Sequence, residues 1–352
     1  MAANSKIEWT EQTWNPLAGC SIVSPGCHNC YAALMAKRLA AMGQAKYQGL
    51  TNENGWTGKL NFSETDLKAP LKWKKPRRVF VNSMSDLFHE DAPDEWIDRV
   101  WAVMAFAGQH TYQVLTKRAQ RMFAYLNQNR SARVKAAALS MGFALEFQGI
   151  SLLPKILPNV WLGVSVEDQN RTERIPWLLK TPAAIRFLSV EPLLGPVRLS
   201  GVYHDYLTGV DVEEDCHPMC DGSHERCPVP HQFATAQIDW VIVGGESGPG
   251  SRECRPDWVR GLVADCKRAN VSCFVKQLGA NVVTRNDMVE DDFNSLKTGW
   301  PDPDVEHHIH GFQENYQGAD CRIRLRDKKG GDPGEWPPDL RVREFLSQAV
   351  RS

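Results

Sequence analysis

Short apolar runs alternate with polar clusters along this 352-residue chain, and amphipathic stretches fill most of the gaps between them. The runs are Val79-Phe80-Val81, Thr111 to Leu115, Val160 to Val164, Ile185 to Val190, Ile238 to Val243 and Val271 to Val275. Their brevity and their β-branched and aromatic content predict strands buried on both faces, as in a parallel sheet. Each run ends in polar residues or glycines: Asn82 to Asp86, Thr116-Lys117-Arg118, Ser165 to Asp168, Glu191-Pro192, Gly244-Gly245-Glu246-Ser247 and Lys276-Gln277.

Between the runs lie helices with readable starts. Asp91-Ala-Pro93 opens a stretch to about Gly108, and Arg255-Pro256-Asp257 opens another to about Asn270. Proline fits the first helical position because that amide has no partner inside the helix. Strand alternating with helix predicts an α/β fold, a full or partial (β/α) barrel or an open doubly wound sheet, and we favour the barrel. In barrels the chemistry sits at the C-terminal ends of the strands, which is where the carboxylates, hydroxyls, lysines and glycines of this chain fall. The barrel is expected over residues 1–282, with extra helix between 124 and 158 and a polar, Cys/His-rich insert at 201–237. A C-terminal extension over 283–352, packed by Trp300 and Trp336, is expected to end in a short helix near 340–350, with His307, His308 and His310 in a solvated turn.

Composition narrows the class. Ten cysteines over a long chain with 42% hydrophobic residues suit a large reduced core rather than a secreted disulfide framework, so the expected location is the cytoplasm. No run approaches the roughly 18 consecutive apolar residues of a membrane-spanning helix. A net charge of −1 argues against a strong overall grip on nucleic acid, although Lys72-Trp73-Lys74-Lys75-Pro76-Arg77-Arg78 forms a local basic patch.

The sharpest chemical signal is Gly19-Cys20-Ser-Ile-Val-Ser-Pro-Gly-Cys27-His-Asn-Cys30-Tyr31. Three thiols close together in a loop bent by proline and glycine suit an iron–sulfur cluster, or zinc with a fourth ligand such as His28. Three sulfurs rather than four would leave one iron of a cubane open to an exogenous ligand.

With these residues in view, a resemblance emerges. Ile7-Glu-Trp9-Thr-Glu-Gln-Thr-Trp14-Asn15-Pro16, the cysteine segment, Val81 to Phe88, Leu115 to Arg118, Leu162 to Glu167, Ser189-Val-Glu-Pro192, Val243 to Gly248, Phe274 to Gln277 and Glu335-Trp336-Pro337 resemble an uncharacterised family of phage and prophage proteins with a three-cysteine motif. That family is similar to the radical S-adenosylmethionine superfamily, nearest in pattern to spore photoproduct lyase. The resemblance implies a [4Fe-4S] cluster on Cys20, Cys27 and Cys30, S-adenosyl-L-methionine on the fourth iron, and reductive cleavage to a 5′-deoxyadenosyl radical. It also implies an electron donor of flavodoxin or ferredoxin type, and a nucleobase, nucleotide or nucleic acid substrate. Cofactor contacts are expected from Tyr31, Ser83, Ser85, Asp86, Lys117, Arg118, Ser165, Glu167, Glu191, Gly244, Gly245 and Glu246. The spacing here is Cys-x6-Cys-x2-Cys, with Asn29 before the last cysteine, where the superfamily usually has Cys-x3-Cys-x2-Cys and an aromatic residue.

The insert adds Cys216, Cys220, His224 and Cys227. Cys220-Asp-Gly-Ser-His224 resembles the signature of a small [2Fe-2S] family, without that family's upstream Cys-x-Cys; the set also satisfies tetrahedral zinc, which we favour, and a bare, metal-free loop is the other reading. Cys254, Cys266, Cys273 and Cys321 are expected to be isolated thiols. Two other functions compete with the radical enzyme: a zinc-stabilised module that binds nucleic acid or protein on a barrel scaffold without catalysis, and a metal-assisted hydrolase using the strand-end carboxylates.

Overall fold

In the computed structural model the described residues are 5, 7–143, 155–200, 204–208, 210–211, 236–285, 309–310 and 320–346. Seven strands form one sheet: β1 (Gln12–Trp14), β2 (Arg78–Val81), β3 (Thr111–Thr116), β4 (Val160–Ser165), β5 (Ile185–Val190), β6 (Trp240–Gly244) and β7 (Ser272–Gln277). Each strand lies beside its predecessor in the chain. This monotonic order decides between the two expected architectures, because a doubly wound sheet reverses its strand order at a switch point whereas a barrel keeps adding strands on one side. The fold is a partial (β/α) barrel in which β1 and β7 are edges. The longer helices are α1 (Tyr31–Ala41), α2 (Asp94–Phe106), α3 (Ala119–Asn127), α4 (Ser131–Ser140), α5 (Ile175–Lys180) and α6 (Pro256–Ala269), and a single α-turn spans Glu64–Leu67. All six expected strands are present, and α4 supplies the extra helix expected between 124 and 158. Among the described residues no helix is long and apolar enough to cross a membrane.

The chain divides into two compact units, the first built mainly from 1–165 and 173–187, the second from 166–172 and 188–348. In the first, parallel register aligns Trp14 with Val81, Val81 with Val114 and Val114 with Leu162. All four side chains are buried, as the continuous apolar runs require. Helix α2 starts with Asp94 and Glu95, whose charges suit the positive end of its dipole, and buries Ile97, Val100, Trp101 and Met104 at helical spacing.

In the second unit α6 buries Val259, Leu262 and Cys266 and ends at Asn270 in the left-handed region, φ 54°. Cys254, Cys266 and Cys273 are free and buried, and the neighbouring Cys273 thiol together with burial pushes the Cys266 thiol up. Trp336 is fully buried, with its indole N–H donating to the Gly330 carbonyl at 3.0 Å. The expected helix near 340–350 is absent over 341–346. The segment runs extended instead, after a short turn at Pro338–Leu340. Its backbone pairs with β7, the Val275 amide donating to the Val342 carbonyl at 2.8 Å and the Glu344 amide to the Cys273 carbonyl at 2.9 Å. Val282–Arg285 pairs with Asp320–Ile323, which pairs with Ile309–His310, so His310 lies in a strand rather than a turn. Trp300, His307, His308 and the four insert residues Cys216, Cys220, His224 and Cys227 lie outside the described residues.

Candidate functional site

The cysteine loop of the first unit follows β1 and is held from two sides. The Gly19 amide donates to the Met84 carbonyl at 3.2 Å, and the Gly58 amide donates to the Cys20 carbonyl at 3.1 Å. Gly19 has φ 99°, and a Cβ there would lie 2.1 Å from the Lys59 carbonyl oxygen, so only glycine permits this approach. A single helical turn, Pro25–Cys27, leads to Cys30, which is the residue capping the N-terminus of α1. The positive end of that helix favours a thiolate.

All three thiols are free and half-buried. Cys20 and Cys30 both border one apolar cluster that includes Ala32, Ala36, Leu50, Trp56 and Met84. The Cys27 sulfur lies 3.7 Å from the Ser24 hydroxyl. Burial pushes the Cys20 thiol up to about 12, Asp86 and Cys27 add to the shift, and Arg118 opposes it. The Cys20 thiol is therefore protonated at neutral pH.

The polar ends of β2 and β3 meet beneath this loop. Asp86 accepts from the Thr116 hydroxyl at 2.7 Å, the Lys117 amide at 3.0 Å and Arg118 Nη1 at 3.1 Å. Arg118 also donates to Glu90 at 2.8 Å, to the Ser21 hydroxyl at 2.6 Å and to Cys20 Sγ at 3.6 Å. Burial alone would lower the Arg118 pKa, but Asp86, Cys20 and Glu90 outweigh it and hold the guanidinium charged. Lys117 Nζ reaches the Ser24 hydroxyl at 3.2 Å. The structure thus gathers Asp86, Lys117 and Arg118 at the cysteine loop, together with Ser21, Ser24 and Glu90, which the sequence did not single out. Serine within a ligand loop is the only local signal of the first two.

The remaining expected contacts of this unit are engaged locally. Tyr31 is exposed, and its hydroxyl donates to the Ser83 carbonyl at 2.8 Å. The hydroxyls of Ser83 and Ser85 donate to Asn15 Oδ1 and to the Leu17 carbonyl, and the Ser165 carbonyl accepts from Arg174.

In the second unit a separate group forms at the ends of β5, β6 and β7. Lys276 Nζ meets Glu191 at 2.5 Å, and the Gln277 amide bridges Glu191 at 3.3 Å and the Gly245 carbonyl at 2.8 Å. Gly244 and Gly245 are packing glycines here: a Cβ on Gly244 would stand 3.1 Å from the Glu191 carboxyl carbon, and one on Gly245 2.1 Å from the Leu278 carbonyl oxygen. Buried Glu246 is held by Arg252 through Nε, Nη2 and the backbone amide, at 2.5–3.0 Å. Glu167 is fully buried, and its carbonyl accepts from the Leu194 amide at 2.8 Å.

The basic patch lies elsewhere. Lys72, Lys74 and Lys75 are exposed and precede β2, at the end of that strand opposite to Asp86 and the cysteine loop. Trp73 packs edge-on against His110, with Arg77 over its ring.

As a ligand set, Cys20, Cys27 and Cys30 fit a thiolate-held cluster in chemistry and in burial. Their sulfurs are not drawn around one point, and among the described residues no three His, Cys, Asp or Glu side chains are grouped to hold a metal ion. The cysteines occupy the loop that follows the first strand of the partial barrel. No curated protein and no solved structure matches the chain. One family model matches residues 4–324, described as a protein of unknown function (DUF5131), and the chain belongs to that family.

Proposed function

We propose that this protein is a radical S-adenosylmethionine enzyme whose cluster is held by Cys20, Cys27 and Cys30. The observation that carries the reading is the placement of three free, half-buried thiols on the loop after β1, with a buried cation, Arg118, against one of them. When bound, a [4Fe-4S] cluster supplies one electron for reductive cleavage of S-adenosylmethionine, the electron arriving from an external donor. The chain's own part is to hold and shield. The apolar cluster around Cys20 and Cys30 excludes water from one side, the α1 N-terminus favours negative charge at Cys30, and Arg118 does the same at Cys20. The Asp86–Arg118–Glu90 network fixes that cation in place. Nucleobases and nucleotides are the substrate class that the resemblance implies, and they are the first compounds to screen.

The test is anaerobic reconstitution with iron and sulfide, dithionite reduction, and assay for 5′-deoxyadenosine from S-adenosylmethionine. The expected result is a brown protein that forms 5′-deoxyadenosine, with the activity lost in Cys27→Ala and kept in Cys220→Ala. A colourless protein that takes up only zinc and cleaves nothing overturns the reading.

A further inference from the structure

We infer that Arg118 sets the reduction potential of the cysteine-held cluster, by donating a hydrogen bond and placing a positive charge at the Cys20 sulfur. This rests on the radical-enzyme reading of the same loop. The geometry leaves the guanidinium little freedom. Nη1 spans Cys20 Sγ at 3.6 Å and Asp86 Oδ2 at 3.1 Å, Nη2 reaches the Ser21 hydroxyl at 2.6 Å, and Nε meets Glu90 Oε2 at 2.8 Å. All three nitrogens are anchored, and the side chain is 5% exposed, so its charge acts through protein rather than water. The backbone is fixed too, the Arg118 amide donating to the Thr116 hydroxyl, which itself donates to Asp86.

A hydrogen bond and a positive charge at a ligand sulfur stabilise the reduced, more negative state of a cluster and so raise its potential. Glu90 works against this, because its carboxylate, 58% exposed, draws on the far side of the same guanidinium. The two residues therefore have opposite effects. Arg118→Lys keeps a cation for Asp86 but gives up the fork that also reaches Cys20, and shifts the potential negative. Glu90→Gln removes an anion at the surface and shifts it positive.

The experiment reconstitutes the full chain and both variants anaerobically, measures iron and sulfide content, and follows the reduced cluster by electron paramagnetic resonance during a potentiometric titration. Midpoints displaced in opposite directions at equal iron content are the expected result. Unchanged midpoints in both variants overturn the inference alone, and a wild-type protein that takes up no cluster overturns it together with the proposed function. Where Arg118→Lys does not fold, the Glu90→Gln midpoint decides, a positive shift supporting the inference and none overturning it.

Discussion

Asp86 and Arg118 form a buried ion pair, 3.1 Å apart with side chains 8% and 5% exposed, that joins the end of β2 to the end of β3 beneath the cysteine loop. Removing one partner of such a pair leaves the other charged and unsolvated, which costs about 3–5 kcal/mol. Asp86→Ala is expected to lower urea-unfolding stability by that amount. The exposed Arg99–Glu64 pair is the internal control, and Glu64→Ala is expected to cost about 0–1 kcal/mol. Equal losses in the two variants would refute the distinction.

Gly245 answers a different question, whether the Gly-Gly-Glu segment leaves space for a ligand or for the chain itself. A methyl group there meets the Leu278 carbonyl at 2.1 Å, whereas at Gly244 the nearest atom is the movable Glu191 side chain at 3.1 Å. Gly245→Ala is expected to cost about 1–3 kcal/mol, as overpacking does, and Gly244→Ala less. Thermal or urea unfolding of the two variants side by side checks the order.

Stability should also depend on pH through buried histidines. Burial lowers the His110 pKa; the Pro70 carbonyl opposes this and Arg77 reinforces it. His89 is lowered too, chiefly by burial. Both are neutral in the fold, while the unfolded chain takes up protons near about pH 6.5. The unfolded state then binds more protons as pH falls below that value, so stability is full above it and declines below it. Urea unfolding from pH 7.5 to 5.5 should show this decline, with a shallower slope in His110→Gln; an identical slope would count against a neutral His110.

The basic loop and the cysteine loop stand at opposite ends of β2, which separates their phenotypes. If oligonucleotides bind at the basic loop, Lys74→Ala with Lys75→Ala should reduce the slope of log affinity against log salt by about 2. The same double variant should cleave S-adenosylmethionine at the wild-type rate. Loss of cleavage would place the two loops in one functional surface.

Much of the sheet was legible because strands buried on both faces read as uninterrupted apolar runs, as Val160 to Ser165 does. The first strand was not, since Gln12-Thr13-Trp14 is short and polar. Its Gln12 is nonetheless buried, with the side chain accepting from Arg77 at 3.0 Å. The segment near 343 misled for the opposite reason: its composition allowed a helix, but the free edge of β7 captured it. At the site, the cysteines and Asp86 were visible as residue types at strand ends. The contacts of Arg118 with Ser21 and Cys20 were not, because they cross almost a hundred residues of sequence. The ion pair of Glu246, expected as a cofactor contact, with Arg252 was not legible either, because it depends on how the chain turns after β6.

An edge of a parallel sheet offers a row of unpaired amides and carbonyls to any extended peptide, including another copy of the same chain. Here residues 342–344 occupy the β7 edge from within the chain, and the Glu344 carboxylate takes the Cys273 amide at 3.0 Å as well. The segment therefore takes these groups of the β7 edge out of reach of a second chain. A chain ending before Val342 would keep its cysteine loop yet polymerise through β7, and a tag or fusion placed near this end would be judged as a loss of solubility rather than a loss of chemistry.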